Sequence, residues 1–316
     1  MLETILKFIT GVGLFLFAIF FIDNNVEKNE KLTLFVKKHT KNPLFTLLFG
    51  TLIAAITQSS SAVNGIVAGL RDKDVLEEKT SYLLVAGSNV GTTITAYFAV
   101  FQNVAMATVF SSIIFFATIS MMLFKKYNVA KIAKFLIGFS LIFISFEFIG
   151  ASIPDIVKIM NLDILTHTNP LIPFLVCLIV TAICQSSSLV SIIIISFAQL
   201  GVLTLDNAIF MIMAANVGTC STVFIIALGK TKKGLKVAVF NLVLNIIGTL
   251  VCFALYYSNM LYWFFRLSVS MDTKIALFHT IFNLLCCVVV CPFLDRYTKI
   301  NFQKLKQKFI KKAHAR

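Results

Sequence analysis

Gln58-Ser59-Ser60-Ser61 interrupts the apolar run Phe49–Leu70, and Gln185-Ser186-Ser187-Ser188 interrupts the run Ile172–Leu200. Four consecutive polar side chains inside apolar sequence are costly, because each unpaired polar group away from water loses roughly several kcal/mol. The cost is recovered if the tetrads face each other, a cavity or a bound ion. The two tetrads are therefore expected to form the two halves of one binding site.

The tetrads are 127 residues apart, and the same offset carries Gly11 to Gly138, Pro43 to Pro170, Leu44 to Leu171, Asn89 to Asn216, Gly91 to Gly218, Thr92 to Thr219 and Thr95 to Thr222. No gap is needed. A series of Gly, Pro, Asn and Thr matches of this kind marks an internal duplication.

The 316 residues are 58% hydrophobic and 13% charged, with mean hydropathy +0.91. A soluble domain averages about 25% charged residues, so the composition indicates a polytopic membrane protein. The net charge of +14 is concentrated in short loops and a tail. That placement argues against a nucleic-acid partner and for an orientation signal facing the lipid bilayer. The seven cysteines all fall in apolar segments without a C-x-x-C pair, and read as small packing residues. The first apolar run is expected to be a crossing and not a removable signal, since Gly11 belongs to the duplication and no small-residue cleavage site follows.

The expected fold is all-α: a polytopic membrane protein with two inverted-topology repeats, about seven crossings and two re-entrant helical hairpins. The first repeat spans 1–124 with its hairpin at 44–70. A basic cytoplasmic loop follows at 125–134. The second repeat, 135–294, carries the hairpin 171–200 and a final crossing, and 295–316 is a basic cytoplasmic tail. Each hairpin arm is about a dozen residues, too short to cross a ~30 Å hydrocarbon core as a helix. The stretch Lys31–Lys38 is amphipathic and suits the interface. With both hairpins returning to their own side, 24 of the 28 Lys and Arg share one face. That face is expected to be cytoplasmic, with the N-terminus outside and the C-terminus inside a plasma membrane. The Lys-, Asn-, Ile- and Phe-rich composition suggests an A·T-rich bacterium.

A hairpin tip brings helix ends to mid-depth. A helix N-terminus offers free N–H groups and about half a positive charge, so an oxyanion fits there without any lysine or arginine. Serine hydroxyls and the glutamine amide add donors, while the same hydroxyl and carbonyl oxygens suit Na+. A second motif pair, Gly87-Ser88-Asn89-Val90-Gly91-Thr92-Thr93 and Ala214-Ala215-Asn216-Val217-Gly218-Thr219-Cys220, is expected to break two crossings. Glycine there permits an unwound turn whose freed backbone Asn and Thr satisfy. The competing reading is close helix packing by small residues.

These motifs resemble the type II sodium/phosphate cotransporter family, marked by a duplicated QSSS with a G-(A/S)-N-(I/V)-G-T-T segment after each copy. The resemblance covers nearly the whole chain. It extends to Phe240-Asn241 and to His279-Thr280-Ile281-Phe282-Asn283 with Pro292 beyond. It implies Na+-coupled symport of inorganic phosphate into the cell by alternating access, with no other cofactor and no enzymatic activity. It assigns phosphate to Ser59, Ser60, Ser61, Ser186, Ser187 and Ser188, with Asn89 and Asn216 beside them. It assigns Na+ to Gln185, Ser186, Thr219 and Thr222, and to the mirrored Gln58, Thr92 and Thr95. Cys220 replaces the second Thr of the family motif and Ala214 its leading Gly; a thiol is a poor Na+ ligand. No acidic residue stands between Ile94 and Phe124, so the ion stoichiometry stays open.

Coupling has an electrical rationale. Moving one charge against 100 mV costs about 2.3 kcal/mol, and a phosphate dianion entering a negative cell faces about twice that. Two Na+ cancel it and a third makes entry favourable. Gly229-Lys230-Thr231 mimics the end of a Walker A loop, but Phe224 stands where its first glycine is required, which argues against ATP. Other readings are transport of a different oxyanion such as sulfate, H+ in place of Na+ with Glu147 as carrier, or a non-transporting scaffold subunit. Whether the chain forms a homodimer is open. His279 is expected to bond along its helix toward Asn283, and Asn241, Asn245 and Asn283 to join helices.

Overall fold

A computed structural model describes residues 2–26, 42–101, 104–124, 127–159, 165, 169–290 and 294. Among them the regular elements are helices: α1 (Leu2–Val26), α2 (Pro43–Thr57), α3 (Ser60–Asp72), α4 (Glu78–Thr92), α5 (Ile94–Val100), α6 (Val104–Leu123) and α7 (Tyr127–Ile159). They continue with α8 (Leu171–Cys184), α9 (Ser187–Gln199), α10 (Leu205–Gly218), α11 (Cys220–Ala227), α12 (Lys232–Tyr257), α13 (Tyr262–Phe265) and α14 (Met271–Val290). Residues 31–38, the tail 295–316, Cys291, Pro292, His39, His167 and His314 lie outside the described set.

The chain is an all-α polytopic membrane protein. Among the described residues six stretches are long and apolar enough to cross a bilayer: Leu2–Ile22, Glu78–Val100, Ile132–Ile159, Leu205–Ala227, Lys232–Tyr257 and Met271–Val290. The seventh expected crossing coincides with α6, whose apolar part Thr108–Leu123 is shorter. One expectation fails locally. Residues 127–134 of the basic loop and 152–159 of the polar loop after Ala151 are helical, because α7 runs from Tyr127 to Ile159. The segment 127–134 contains Ala130 and Ala133 but no glycine or proline, so nothing in it stops a helix.

Local chemistry fixes both interrupted segments. Asn42 caps α2, its Oδ1 accepting from the amides of Leu44 and Phe45 at 2.9 and 3.3 Å, with Pro43 in the first turn. The helix ends at Gln58, in the left-handed conformation (φ 57°). Ser59 then turns extended and caps α3, its Oγ accepting from the Ala62 amide at 3.1 Å. The second copy does the same: Gln185 has φ 57°, and Ser186 Oγ accepts from the Leu189 amide at 3.2 Å. Arms of 13 to 15 residues are about 20–22 Å long, below the core thickness.

The packing around these arms shows which way they run. Cβ positions built at Gly50, Gly87 and Gly91 meet Leu84, Leu47 and Thr51, so α2 lies parallel to α4. Asp72 accepts from the amide of Thr231, and Gly234 sits against the Ala68 carbonyl, so α3 runs antiparallel to α12. Both ends of the α2–α3 pair therefore lie at the N-terminal end of α12, where Lys233 and Lys236 pair with Asp74 and Glu78. The start of α10 lies at the other end of α12, where Tyr256 donates to Asp206. Across the two halves, α3 packs on α11 and α9 packs on α5.

The glycine motifs do not unwind. The breaks fall at Thr93 and Thr219, both still right-handed helical. The local bonds only tighten, Thr93 N to Val90 O at 3.1 Å and Thr222 N to Thr219 O at 3.2 Å. The glycines serve packing: an added Cβ would lie 2.0 Å from Leu47 O at Gly87, 2.1 Å from Thr51 O at Gly91 and 2.7 Å from Leu178 O at Gly218. The close approach of α2 to α4 and of α8 to α10 is what those residues allow.

Candidate functional site

The two tips meet. Ser188 Oγ donates to the backbone carbonyl of Gln58 at 3.4 Å, and Thr95 Oγ1 reaches Ser188 Oγ at 3.4 Å. Beside this junction lies a cavity of about 390 Å³ onto which both tetrads open. One water occupies about 30 Å³ of liquid, so the space holds a five-atom oxyanion with solvent around it. The remaining wall comes from Leu16 and Ile19 of α1, Ala62, Ile183 and Cys184 beside the tips, and Thr219, Thr222 and Ile226 at and after the second break.

Among the described residues the cavity wall carries no lysine, arginine or carboxylate. Its positive character comes from the first turns of α3 and α9, whose N-termini both end there. Ser59 and Ser186 are spent on capping, which aims those turns at the cavity. Thr219 Oγ1 accepts from the Ser187 amide at 3.3 Å, and Thr222 Oγ1 donates to the Gln185 carbonyl at 3.2 Å. Serine hydroxyls, helix amides and carbonyl oxygens thus surround one hollow. The chemistry they offer is oxyanion binding by neutral donors, with hard-oxygen ligation of a small monovalent cation nearby.

Of the residues singled out in the sequence, Gln58, Ser59, Ser60, Ser61, Gln185, Ser186, Ser187, Ser188, Thr219 and Thr222 line the cavity. Thr92, Thr95, Asn89 and Asn216 do not. Thr95 lies behind the first tip, donating to Gln58 Oε1 at 2.7 Å, and Thr92 bonds back to the Asn89 carbonyl at 3.0 Å. Asn89 and Asn216 sit in a buried amide network. Asn89 Nδ2 donates to Asn241 Oδ1 at 3.0 Å, and Asn283 Nδ2 donates to Asn216 Oδ1 at 3.3 Å. Cys220 joins this network, accepting from the amides of Asn241 and Asn245 at 3.4 and 3.5 Å, and does not reach the cavity.

His279 is fully buried, and Asn283 donates to its backbone carbonyl and not to its ring. Glu147 is half-buried on α7 and does not line the cavity. Leu16, Ile19, Ile226 and Cys184 were not legible as site residues. The first three carry no polar signal. Cys184 adjoins the tetrad, but a thiol in an apolar run looks like any packing residue.

Comparison with known proteins agrees with the geometry. The profile of the Na+/Pi-cotransporter family matches residues 14–151 and 159–272, which include both tetrads and both glycine motifs. The chain is 27% identical over 277 residues to the uncharacterized protein YqeW of Bacillus subtilis, covering 86% of each chain. It is 20% identical over 297 residues to a protein of Escherichia coli K12 named "Putative inorganic phosphate export protein YjbB", and 20% identical over 299 residues to the like-named protein of Salmonella typhimurium. These alignments cover 92% of this chain and 54% of each relative, so the chain spans about half the length of those two proteins. No solved structure matches the chain. With a match that runs over most of its length and takes in both serine tips, the chain belongs to the Na+/Pi-cotransporter family.

Proposed function

We propose that the chain is a secondary active transporter that carries inorganic phosphate into the cell together with Na+, by alternating access between two inverted repeats. The observation that carries this reading is the convergence of both tetrads on one uncharged cavity bounded by two helix N-termini. A neutral site of this kind releases its anion more readily than a lysine cage would, and transport requires release. Phosphate falls to the first turns of α3 and α9 with Ser59, Ser60, Ser61, Ser186, Ser187 and Ser188. Na+ falls to the oxygens of Gln185, Ser186, Thr219 and Thr222 in the second half, and to Gln58, Thr92 and Thr95 in the first. Asn89 and Asn216 act from behind, by holding the broken helices in register through Asn241 and Asn283.

The inverted arrangement is supported by the helix contacts: the first hairpin opens at the N-terminal end of α12, and the second element set starts at its C-terminal end. With the basic loops in the cytoplasm, the N-terminus is outside and the membrane is the plasma membrane.

The test is uptake of labelled phosphate into proteoliposomes under an inward Na+ gradient. Uptake is expected to fall to background when K+ or choline replaces Na+, and unchanged uptake would reject the coupling. The names of two relatives favour a second reading, phosphate export. Cells lacking the gene separate the two: lower phosphate uptake supports import, and a raised internal phosphate pool supports export.

A further inference from the structure

At the end of α12 away from Lys233 and Lys236, a second cavity of about 340 Å³ is lined by Asp206, Tyr256, Tyr257, Leu261, Tyr262 and Phe265. The helix between is 26 residues, about 39 Å, so this cavity and the basic loops lie on opposite faces of the membrane domain. Tyr256 meets two of these rings at an angle: Tyr257 at 86° with centroids 5.2 Å apart, and Phe265 at 54° and 6.2 Å. Asp206 supplies one negative charge, with Oδ1 held by the Tyr256 hydroxyl at 2.6 Å. The Arg266 guanidinium lies 4.5 Å from the centroid of the Tyr262 ring.

Tyrosine and tryptophan at a membrane surface need no ligand to explain them. What goes further here is a carboxylate lining the same cavity as four aromatic rings, with a guanidinium stacked on one of them. Ring faces and a carboxylate together attract an ammonium group. The neighbouring guanidinium suits the phosphate that a headgroup carries next to its ammonium. Around the cavity, Met260, Tyr262 and Trp263 are 63%, 56% and 58% exposed, a surface for acyl chains. At the duplication offset Asp206 corresponds to Lys79 and Tyr256 to Val129, so the feature has no counterpart in the first half.

We propose that this cavity seats the headgroup of a zwitterionic phospholipid, its ammonium among the rings of Tyr256, Tyr257 and Phe265 against Asp206 and its phosphate toward Arg266. Asp206 in the cavity and Arg266 on the Tyr262 ring that borders it, beside exposed apolar side chains, favour a lipid over a free ammonium solute. The proposal stands apart from phosphate transport.

Native mass spectrometry of the purified protein with phosphatidylethanolamine, phosphatidylcholine or phosphatidylglycerol tests it. The two zwitterionic lipids are expected to be retained over phosphatidylglycerol, and Asp206→Asn and Arg266→Gln each to weaken that retention about fivefold. Tyr262→Leu, at a ring that is mostly exposed, is expected to weaken it as well while leaving the melting temperature unchanged. Equal retention of all three lipids, or retention unchanged in the variants, overturns the proposal. A fluorescence titration with tetramethylammonium and with phosphocholine forms the second arm. Binding of either solute that depends on Asp206, without any lipid preference, overturns the lipid assignment and leaves a soluble ammonium ligand in its place.

Discussion

Thr95 donates its hydroxyl proton to Oε1 of Gln58 at 2.7 Å, and both residues are buried. The equivalent pair in the second half is built otherwise: Thr222 reaches only the backbone carbonyl of Gln185, and both side chains line the cavity. The difference extends outward. Leu16, Ile19, Thr219 and Ile226 line the cavity, while Phe143, Phe146, Thr92 and Ala99, their partners at the 127-residue offset, are all buried. Phe143 stacks on Phe110 with centroids 3.8 Å apart. These positions border the cavity on one side, while their counterparts, Phe143 and Phe146 among them, are packed and do not line it.

This asymmetry predicts thiol chemistry. Cys184 is half-buried and lines the cavity, so a membrane-impermeant thiol reagent is expected to modify it from one face only and to block phosphate transport. Phosphate with Na+ is expected to slow the reaction. In a Cys184→Ser background, Thr222→Cys is expected to react and Thr95→Cys to stay protected. Measured by mass-shift labelling, equal reactivity at the two threonines would mean that Thr95 and Thr222 do not differ in access as described.

Ser186 has two duties, capping α9 and facing the cavity, and they can be separated. Aspartate is an N-cap as good as serine. Ser186→Asp is therefore expected to keep the melting temperature in detergent while placing a negative charge where phosphate would sit. Ser186→Ala is expected to lose about 1 kcal/mol of helix stability with the cap. Phosphate uptake should fall to background in the aspartate variant and by a smaller factor in the alanine variant. An active Ser186→Asp protein would mean that the tip does not hold the anion.

The tips were legible because four polar residues in an apolar run allow few explanations, and the fixed offset linked one tip to the other. The arm lengths followed from bilayer thickness. The glycine motifs carry two readings in sequence: at Gly87 and Gly91 a backbone needing room looks the same as a backbone needing freedom. Only the 2.0 Å approach to Leu47 O tells them apart. Phe143 and Leu16 illustrate the other limit. Both are plain apolar residues at matched positions, and which of them is buried is decided by how the helices around them pack, not by the residues themselves.

The asparagine network separates stability from substrate chemistry. Asn241→Leu removes the acceptor for Asn89 and the donor to Cys220, leaving a buried amide unpaired at a cost of about 1–3 kcal/mol. A lower melting temperature and weakened uptake in parallel are expected. Cys220→Ser keeps a small acceptor for Asn241 and Asn245 and lies off the cavity. Its Na+ dependence is expected to match the wild type, and a changed Na+ affinity would bring Cys220 into the ion site.

Close helix contact makes the final prediction. Alanine at Gly91 places a Cβ 2.1 Å from the Thr51 carbonyl and 2.9 Å from the Ala55 amide, both backbone atoms that cannot swing aside. The α2–α4 pair must then separate, at a cost on the scale of an overpacked core, about 1–3 kcal/mol or more. Gly13 in α1 has nothing within 4 Å of an added Cβ, and alanine there gains up to about 1 kcal/mol of helix propensity. Gly91→Ala is therefore expected to melt lower than the wild type in detergent, and Gly13→Ala to melt equal or higher. The same displacement moves the first tip, which α2 carries, so Gly91→Ala should also lose phosphate uptake even where folded protein is recovered. Full uptake in a stably folded Gly91→Ala protein would mean that the α2–α4 contact does not position Gln58.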